Sequence, residues 1–314
     1  MDKKEVHRIG GNNFPGFHAL LFLLFAIIGF VVIGPVIGTL FASFIFEGNP
    51  IELQQKIANP VGDPSMKWIL FIIQGCATGI GLILLPYLYV SFVDKKPMNV
   101  FCPNPRLNSK QLGLSVLVVF LFMVVNSFFI EWNQSLTLPE SMSDIESWMR
   151  SMEDRAKDFT EYLTVFDSPA QFALALIVIA VLPAIGEELV FRGYLQTEFN
   201  AAFRNPHIAI WLSAILFSAI HMQFFGFVPR LLLGALFGYL YWWSGNLLYP
   251  ITAHLVQNGS QVIIMYMVQL EIIDVDVDST ESFPLYLILL FAALTVAVIY
   301  NFRKLSLVNK ITNG

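Results

Sequence analysis

The chain has 314 residues, of which 56% are hydrophobic and 13% are charged. A soluble domain has about 45–50% apolar and about 25% charged residues, so this composition excludes an ordinary soluble fold. The net charge of −5 and the lack of a basic stripe argue against a nucleic-acid partner. Two cysteines, Cys76 and Cys102, are too few for a disulfide framework and have no metal-ligand spacing.

Hydrophobic segments of membrane-spanning length recur along the chain. A bilayer core of about 30 Å needs about 20 apolar residues per helix. We therefore predict an all-α membrane protein, built as a bundle of about eight transmembrane helices. The predicted segments are residues 17–46, 67–93, 112–131, 169–191, 208–225, 229–244, 247–269 and 284–302.

The distribution of Lys and Arg predicts the orientation of this bundle. If the N-terminus, with Lys3, Lys4 and Arg8, is cytoplasmic, then basic residues are in a two-to-one excess on that side. An even number of spans also places the C-terminus in the cytoplasm, where residues from Arg303 onward are predicted to form a solvated basic tail. We expect a multi-pass protein of a bacterial-type cytoplasmic membrane, with the lipid bilayer as its surroundings.

The longest loop, residues 132–168, contains an apolar pattern of helical period. Ser143 and Glu146 have the spacing of a capping box at the start of this helix. We expect an amphipathic helix at the outer membrane surface, acting either as an anchor or as a lid that guides a substrate. The apolar positions are Ile145, Trp148, Met149, Met152, Ala156, Phe159 and Leu163.

Pairs of glycines at a spacing of four residues predict close helix packing, which we expect within one chain rather than between copies. The pairs are Gly34 with Gly38, Gly75 with Gly79, and Gly234 with Gly238.

Three stretches place polar side chains within the predicted spans, where ionisable groups are costly and often functional. The first ends the fourth segment and contains Glu187, Glu188 and Arg192. Glu188 and Arg192 are four residues apart, so they share a helical face and are predicted to form an ion pair. Glu187 is turned about 100° away and is left free as a base or a metal ligand. The alternative is that both glutamates simply lie at the headgroup boundary, where a charge costs little. Because the pair lies at the predicted cytoplasmic end of its helix, we expect the site to open toward the cytoplasm.

The other two stretches contain histidines. His221 follows Phe217 by four residues in the fifth segment, while His254 and Asn258 share a helical face in the seventh. Each pattern alone also fits a packed histidine or an interhelical hydrogen bond. Taken with the glutamates, however, the three stretches suggest one shared cavity. Its groups suit amide hydrolysis, in which a carboxylate or metal activates water and neutral donors stabilise the oxyanion.

The motifs Glu-Glu-x-x-x-Arg, Phe-x-x-x-His and His-x-x-x-Asn, in this order on successive hydrophobic segments, resemble those of the CPBP family. These CAAX-protease and bacteriocin-processing membrane enzymes are also called Abi proteins, and the resemblance covers about residues 168–270. It implies that Glu187 is the general base working with His221, and that His254 and Asn258 form the oxyanion site. The resemblance also implies supporting roles for three residues: Glu188, Arg192 and Phe217.

The function that this resemblance implies is intramembrane hydrolysis of a peptide bond in a membrane-associated protein or peptide, as in type II CAAX endopeptidases. The mechanism is expected either to use a divalent metal, with zinc favoured, or to be metal-free. The candidate metal ligands are Glu187, His221 and His254. The patterns do not indicate an oligomeric state.

Two other functions stay open. A non-catalytic immunity or scaffold protein of the same fold would not need Glu187. A proton- or metal-coupled transporter would often show internal repeats, yet residues 1–150 hold no second copy of the motifs.

Three regions are expected along the chain. Residues 1–167 would hold the first three transmembrane helices and the outer amphipathic loop, and residues 168–270 the catalytic core. Residues 271–314 would hold an acidic outer loop, the last transmembrane helix and the basic cytoplasmic tail.

Overall fold

The computed structural model describes residues 15–60, 62–104 and 106–311, and its regular secondary structure in these ranges is entirely helical. The predicted all-α class is therefore confirmed. The helices of nine or more residues, with adjoining α and π segments joined, are α1 (Gly16–Ser43), α2 (Pro50–Ala58), α3 (Met66–Val93), α4 (Ser109–Gln134), α5 (Ser143–Thr164), α6 (Pro169–Phe203), α7 (Pro206–Ala219), α8 (Phe227–Ser244), α9 (Leu248–Gln269) and α10 (Leu285–Ile311).

Five of the described helices are long and apolar enough to cross a membrane, namely α1, α3, α4, α6 and α10. Helix α7 is apolar but has only 14 residues, while α8 and α9 have 18 and 22. Each of the eight predicted segments overlaps one of these eight helices. The number that span the membrane, and the orientation of the bundle, stay predictions.

The connections between helices meet at two ends of the bundle. At one end, the side chain of Asn133, near the end of α4, donates to the carbonyl of Phe224, and that of Gln269, at the end of α9, accepts from the N–H of Phe166. We name this the α5 end, because α5 lies there. At the opposite end, the side chain of Asn104 joins the α3–α4 connection to the end of α8.

Three of the membrane helices contain a π turn that ends two residues before a proline. Proline has no N–H and its ring collides with the carbonyl of the preceding turn, so a wider turn there relieves the collision. The prolines are Pro35, Pro86 and Pro183, and the π turns are Gly29–Ile33, Gly79–Leu84 and Leu176–Val181.

Close packing at glycine is found for two of the three predicted pairs. A Cβ added to Gly34 or Gly38 would lie 2.5 or 2.7 Å from the backbone of α3. A Cβ added to Gly234 or Gly238 would lie 3.1 or 2.9 Å from side chains of α7. These pairs therefore pack helices of one chain against each other. The third pair differs, since nothing lies within 4 Å of a Cβ added to Gly79.

Helix α5 confirms the predicted helix in the long loop, but the predicted capping box is wrong. Ser143 is the first helical residue and makes no cap. The carboxylate of Glu146 instead accepts from the N–H of Leu138, at 2.8 Å, and from Nε of Arg150, at 2.9 Å. The carboxylate thus ties α5 to the chain segment that precedes it.

Two predicted boundaries are also wrong. Helix α7 ends at Ala219, six residues earlier than predicted, because the chain turns at Met222, whose φ is 54°. The predicted tail from Arg303 is helical as far as Ile311, because α10 continues past the apolar segment. The N-terminal residues Lys3, Lys4 and Arg8 lie outside the described residues.

Candidate active site

Glu187 and Glu188 lie near the middle of α6. The fourth segment was expected to end at residue 191, but the helix continues through a π turn, Leu189–Leu195, to Phe203. The prediction that the glutamates mark the cytoplasmic end of their helix is therefore wrong. The physical reason is that Arg192, which lies just beyond the predicted end, is buried in the bundle and neutralised by Glu188.

The ion pair predicted between Glu188 and Arg192 is present and fully buried. Oε1 of Glu188 accepts from Nη1 of Arg192, at 2.7 Å, and from Nδ1 of His254, at 2.8 Å. Arg192 also donates from Nη2 to the carbonyl of Gly234, at 2.9 Å. One carboxylate and one guanidinium thus hold α6, α8 and α9 together.

Phe217 supports two of these groups. The guanidinium of Arg192 lies 4.5 Å from the ring centroid of Phe217 and 5.5 Å from that of Phe237. The carbonyl of Phe217 accepts from Nδ1 of His221, at 2.7 Å. The residue therefore positions both an arginine and a histidine.

The two histidines present their Nε2 atoms to Glu187. Because each Nδ1 atom donates to an oxygen that only accepts, each neutral imidazole carries its lone pair on Nε2. Oε2 of Glu187 lies 3.8 Å from Nε2 of His254 and 4.0 Å from Nε2 of His221. A carboxylate is thus flanked by two imidazoles that come from different parts of the chain.

Asn258 lies one helical turn beyond His254 on α9. Its Nδ2 donates to the carbonyl of Ile179, at 3.2 Å, in the π turn of α6. Pro183 has no N–H to offer to this carbonyl, which is four residues earlier. The second N–H of the Asn258 amide is left for another acceptor.

One cavity of about 400 Å³ is lined by Glu187, His221, His254 and Asn258 together. The structure therefore brings the four predicted catalytic residues to one place. Sequence reasoning missed other polar residues on the cavity wall, although a lone asparagine or arginine in an apolar segment is a usable signal. These residues include Asn126, Thr160, Thr164, Arg230 and Gln257.

The cavity extends toward the α5 end. Thr160 and Thr164 of α5 and Met265, near the end of α9, are part of its wall. The predicted topology places this end outside the cell, whereas the sequence suggested a cytoplasmic opening. The two predictions conflict because α5, which the predicted topology places outside, forms part of the cavity wall.

The fit of a metal ion depends on donor types and spacing. Glu187, His221 and His254 are donor types that zinc takes, and two ligands of one tetrahedral zinc lie about 3.3 Å apart. The gaps from Glu187 are wider, at 3.8 and 4.0 Å. Within the described part of the chain, no three His, Cys, Asp or Glu side chains are grouped closely enough to hold a metal ion. As placed, these residues do not form a finished metal site.

Comparison with known families agrees with the site. Residues 169–260 match the type II CAAX prenyl endopeptidase Rce1-like family. The resemblance inferred from the three motifs is confirmed, and every predicted site residue lies inside this Rce1-like domain. The domain and the five apolar helices identify an integral, multi-pass membrane protein.

Two relatives come from Bacillus subtilis (strain 168). Uncharacterized protein YpbD is 34% identical over 85 residues, which are 26% of this chain and 40% of that protein. Uncharacterized protein YyaK is 23% identical over 221 residues, which are 69% of this chain and 64% of that protein. The chain thus spans less than two thirds of the length of either relative. No solved structure matches the chain.

Proposed function

We propose that this protein is an intramembrane endopeptidase that hydrolyses a peptide bond of a membrane-associated protein or peptide. The observation that carries the proposal is the carboxylate of Glu187, which faces the Nε2 atoms of His221 and His254 inside a cavity among membrane helices. The bacterial relatives support a place in a bacterial cytoplasmic membrane.

In the proposed reaction, Glu187 and His221 hold the attacking water. Two acceptors that share one water at about 2.8 Å each are commonly about 4 Å apart, as these atoms are. The water oxygen attacks the scissile carbonyl carbon while Glu187 takes a proton from the water. The C–N bond then breaks, and this proton passes to the leaving amine nitrogen.

The oxyanion would be stabilised from α9. The free N–H of Asn258 is one donor, and Nε2 of His254 is the second when the imidazole is protonated. Glu188, which already accepts from His254, would balance that charge.

A cleavage assay tests the proposal. The purified protein, in detergent, is given a pooled library of membrane-tethered peptides, and products are read by mass spectrometry. We expect cleavage by the wild type and a loss of at least about 100-fold for Glu187→Gln, since general-base catalysis contributes about 10²–10⁴-fold. Glu281→Gln, which changes an exposed glutamate, is the matched control and should keep full activity.

A metal-assisted form of the reaction remains our second version of this proposal, supported by the two Nε2 atoms that face one carboxylate oxygen. Zinc would supply Lewis-acid polarisation and would require Glu187, His221 and His254 to move closer together. Activity lost on chelation and restored by zinc would favour this version, and full activity in chelator the metal-free one.

The same variants separate the other functions. A scaffold or immunity protein of this fold would complement its cellular role with Glu187→Gln as well as the wild type does. A transporter would show uptake into sealed vesicles without cleavage of any peptide. Either result, together with an absence of cleavage by the wild type, would overturn the peptidase proposal.

A further inference from the structure

Arg230 is a second arginine in the cavity, and it differs from Arg192 in its partners. Its Nη2 donates to Oε1 of Gln223, at 2.6 Å, whereas its Nη1 is shielded from solvent and has no hydrogen-bond partner. None of the ion pairs found among the described residues includes Arg230. A guanidinium with spare donors thus forms part of the cavity wall.

The carboxylates around Arg230 already face other partners. Glu153 of α5 is the nearest candidate from the α5 end, but its carboxylate accepts from the N–H of Phe225, at 3.2 Å. Glu187 faces the two histidines. Both carboxylates attract Arg230 from a distance without reaching it. A shielded cation with no ion-pair partner is costly, so its retention suggests a ligand of opposite charge.

The backbone of Arg230 lies away from His254 along α8, although its charge still acts on Glu187 and His221. It lies in the first turn of α8, and Phe237, seven residues later, stacks on the ring of His254 with centroids 5.3 Å apart. Seven residues of α-helix rise by about 10 Å. Arg230 therefore lies about that far from the level of His254 along the axis of α8, toward the α5 end.

A second unsatisfied group lies beside this arginine. Nδ2 of Asn126 donates to the carbonyl of Pro229, at 3.4 Å, and this leaves Oδ1 buried with no partner. Both residues line the same cavity. The wall thus offers an unused cationic donor and an unused neutral acceptor close to each other. A peptide carries the complementary groups, namely carboxylate oxygens and amide N–H groups.

We propose that Arg230, held by Gln223, binds a carboxylate of the substrate and so determines which peptides are cleaved. The planar guanidinium matches a carboxylate in geometry as well as in charge. The carboxylate belongs to the free C-terminus of the peptide or to an Asp or Glu side chain. The inference rests on the proposed function, because it names the group by which that cavity selects its substrate.

The test measures binding, so that it does not depend on cleavage. A peptide cleaved by the wild type, or, if none is cleaved, a peptide retained from the library, is labelled and bound to protein carrying Glu187→Gln. Four forms of this peptide are compared. Its C-terminus is either a free acid or an amide, and its Asp and Glu side chains are either kept or replaced by Asn and Gln. We expect one carboxylate to strengthen binding by about 10- to 100-fold, as expected for a charge-assisted hydrogen bond.

Substitution of Arg230 should remove this preference. With Arg230→Gln, the acid and amide forms of the sensitive position should bind equally, and Arg230→Lys should keep part of the preference through its charge. Arg155→Gln, on the exposed surface of α5, is the matched control and should keep all of it. Thermal unfolding of each variant checks that it is folded. If Arg230→Gln does not fold, Arg230→Lys takes its place in the comparison.

Two outcomes would overturn the inference. One is that protein carrying only Glu187→Gln binds acid and amide peptides equally. The other is that adding Arg230→Gln weakens both forms by the same factor, which would mean that it acts on the cavity or the fold in general. A carboxylate preference that depends on Arg230 without any cleavage would uphold this site while the peptidase proposal fails.

Discussion

Asn258 donates a hydrogen bond to the carbonyl oxygen of Ile179, 3.2 Å away, and so joins α9 to the π turn of α6. That carbonyl lies four residues before Pro183, which has no N–H to give it. One N–H of the Asn258 amide therefore serves the fold, and the other is available to a substrate. The two roles can be separated by mutation.

Asn258→Ala should lower kcat by about 100-fold or more, the usual cost of one oxyanion donor, and destabilise the fold by about 1 kcal/mol. Adding Pro183→Ala supplies a backbone N–H for Ile179, so the double variant should regain stability but not kcat. Thermal unfolding and peptide cleavage measure the two effects. If kcat returned with stability, Asn258 would have only a structural role.

The buried pair of Glu188 and Arg192 predicts a non-additive stability effect. Arg192→Met leaves an uncompensated buried carboxylate and should destabilise the protein by about 3–5 kcal/mol. Glu188→Gln combined with Arg192→Met removes both charges and should cost less than the sum of the single changes. Denaturant unfolding of the four proteins in one detergent measures this coupling, and simple additivity would contradict it.

Two glycines of α3 offer a matched pair. A Cβ added to Gly81 would lie 2.4 Å from the backbone N of Phe30, whereas nothing lies within 4 Å of one added to Gly79. Gly81→Ala should therefore push α1 and α3 apart and cost about 1–3 kcal/mol. Gly79→Ala should be neutral or stabilising by up to about 1 kcal/mol, because alanine favours helix. Equal melting temperatures for the two variants would refute the predicted close approach.

Asp167, in the connection before α6, predicts a pH effect at the α5 end. The hydrogen bond from Nζ of Lys67, at 3.1 Å, holds the pKa of Asp167 below its usual value of 3.8. The stabilisation is therefore present above about pH 4 and is lost as the pH falls through the lowered pKa. Wild type should melt above Asp167→Asn at pH 7, and the difference should shrink progressively as the pH falls below about 4. A difference independent of pH would show that the charge is not involved.

Much of this fold can be predicted from the order of apolar and polar residues along the chain, because membrane helices require long apolar segments. The eight segments and the amphipathic helix α5 were predicted in this way. The four residues around the cavity were also predicted, since Glu187, His221, His254 and Asn258 interrupt apolar runs. Their roles in catalysis stay predictions until cleavage is measured.

Other features depend on contacts that the sequence does not record. The fourth segment was predicted to end too early, because the sequence does not show that Arg192 is buried and paired with Glu188. The place of Arg230 in the cavity could not be predicted, since only the folded structure shows that its Nη1 is shielded and has no partner. The turn at Met222, which ends α7 early, has no glycine or proline to announce it.

The π turn at Leu176–Val181 acts as one extra residue in the register of α6. If the turn closed into an ordinary α-helix with its residues retained, everything after it would rotate by about 100° relative to the part before. The segment would remain as apolar and nearly as long, so insertion into the membrane would be unaffected. Glu187, however, would point away from the histidines. The site therefore depends on the width of this turn, whereas insertion into the membrane does not.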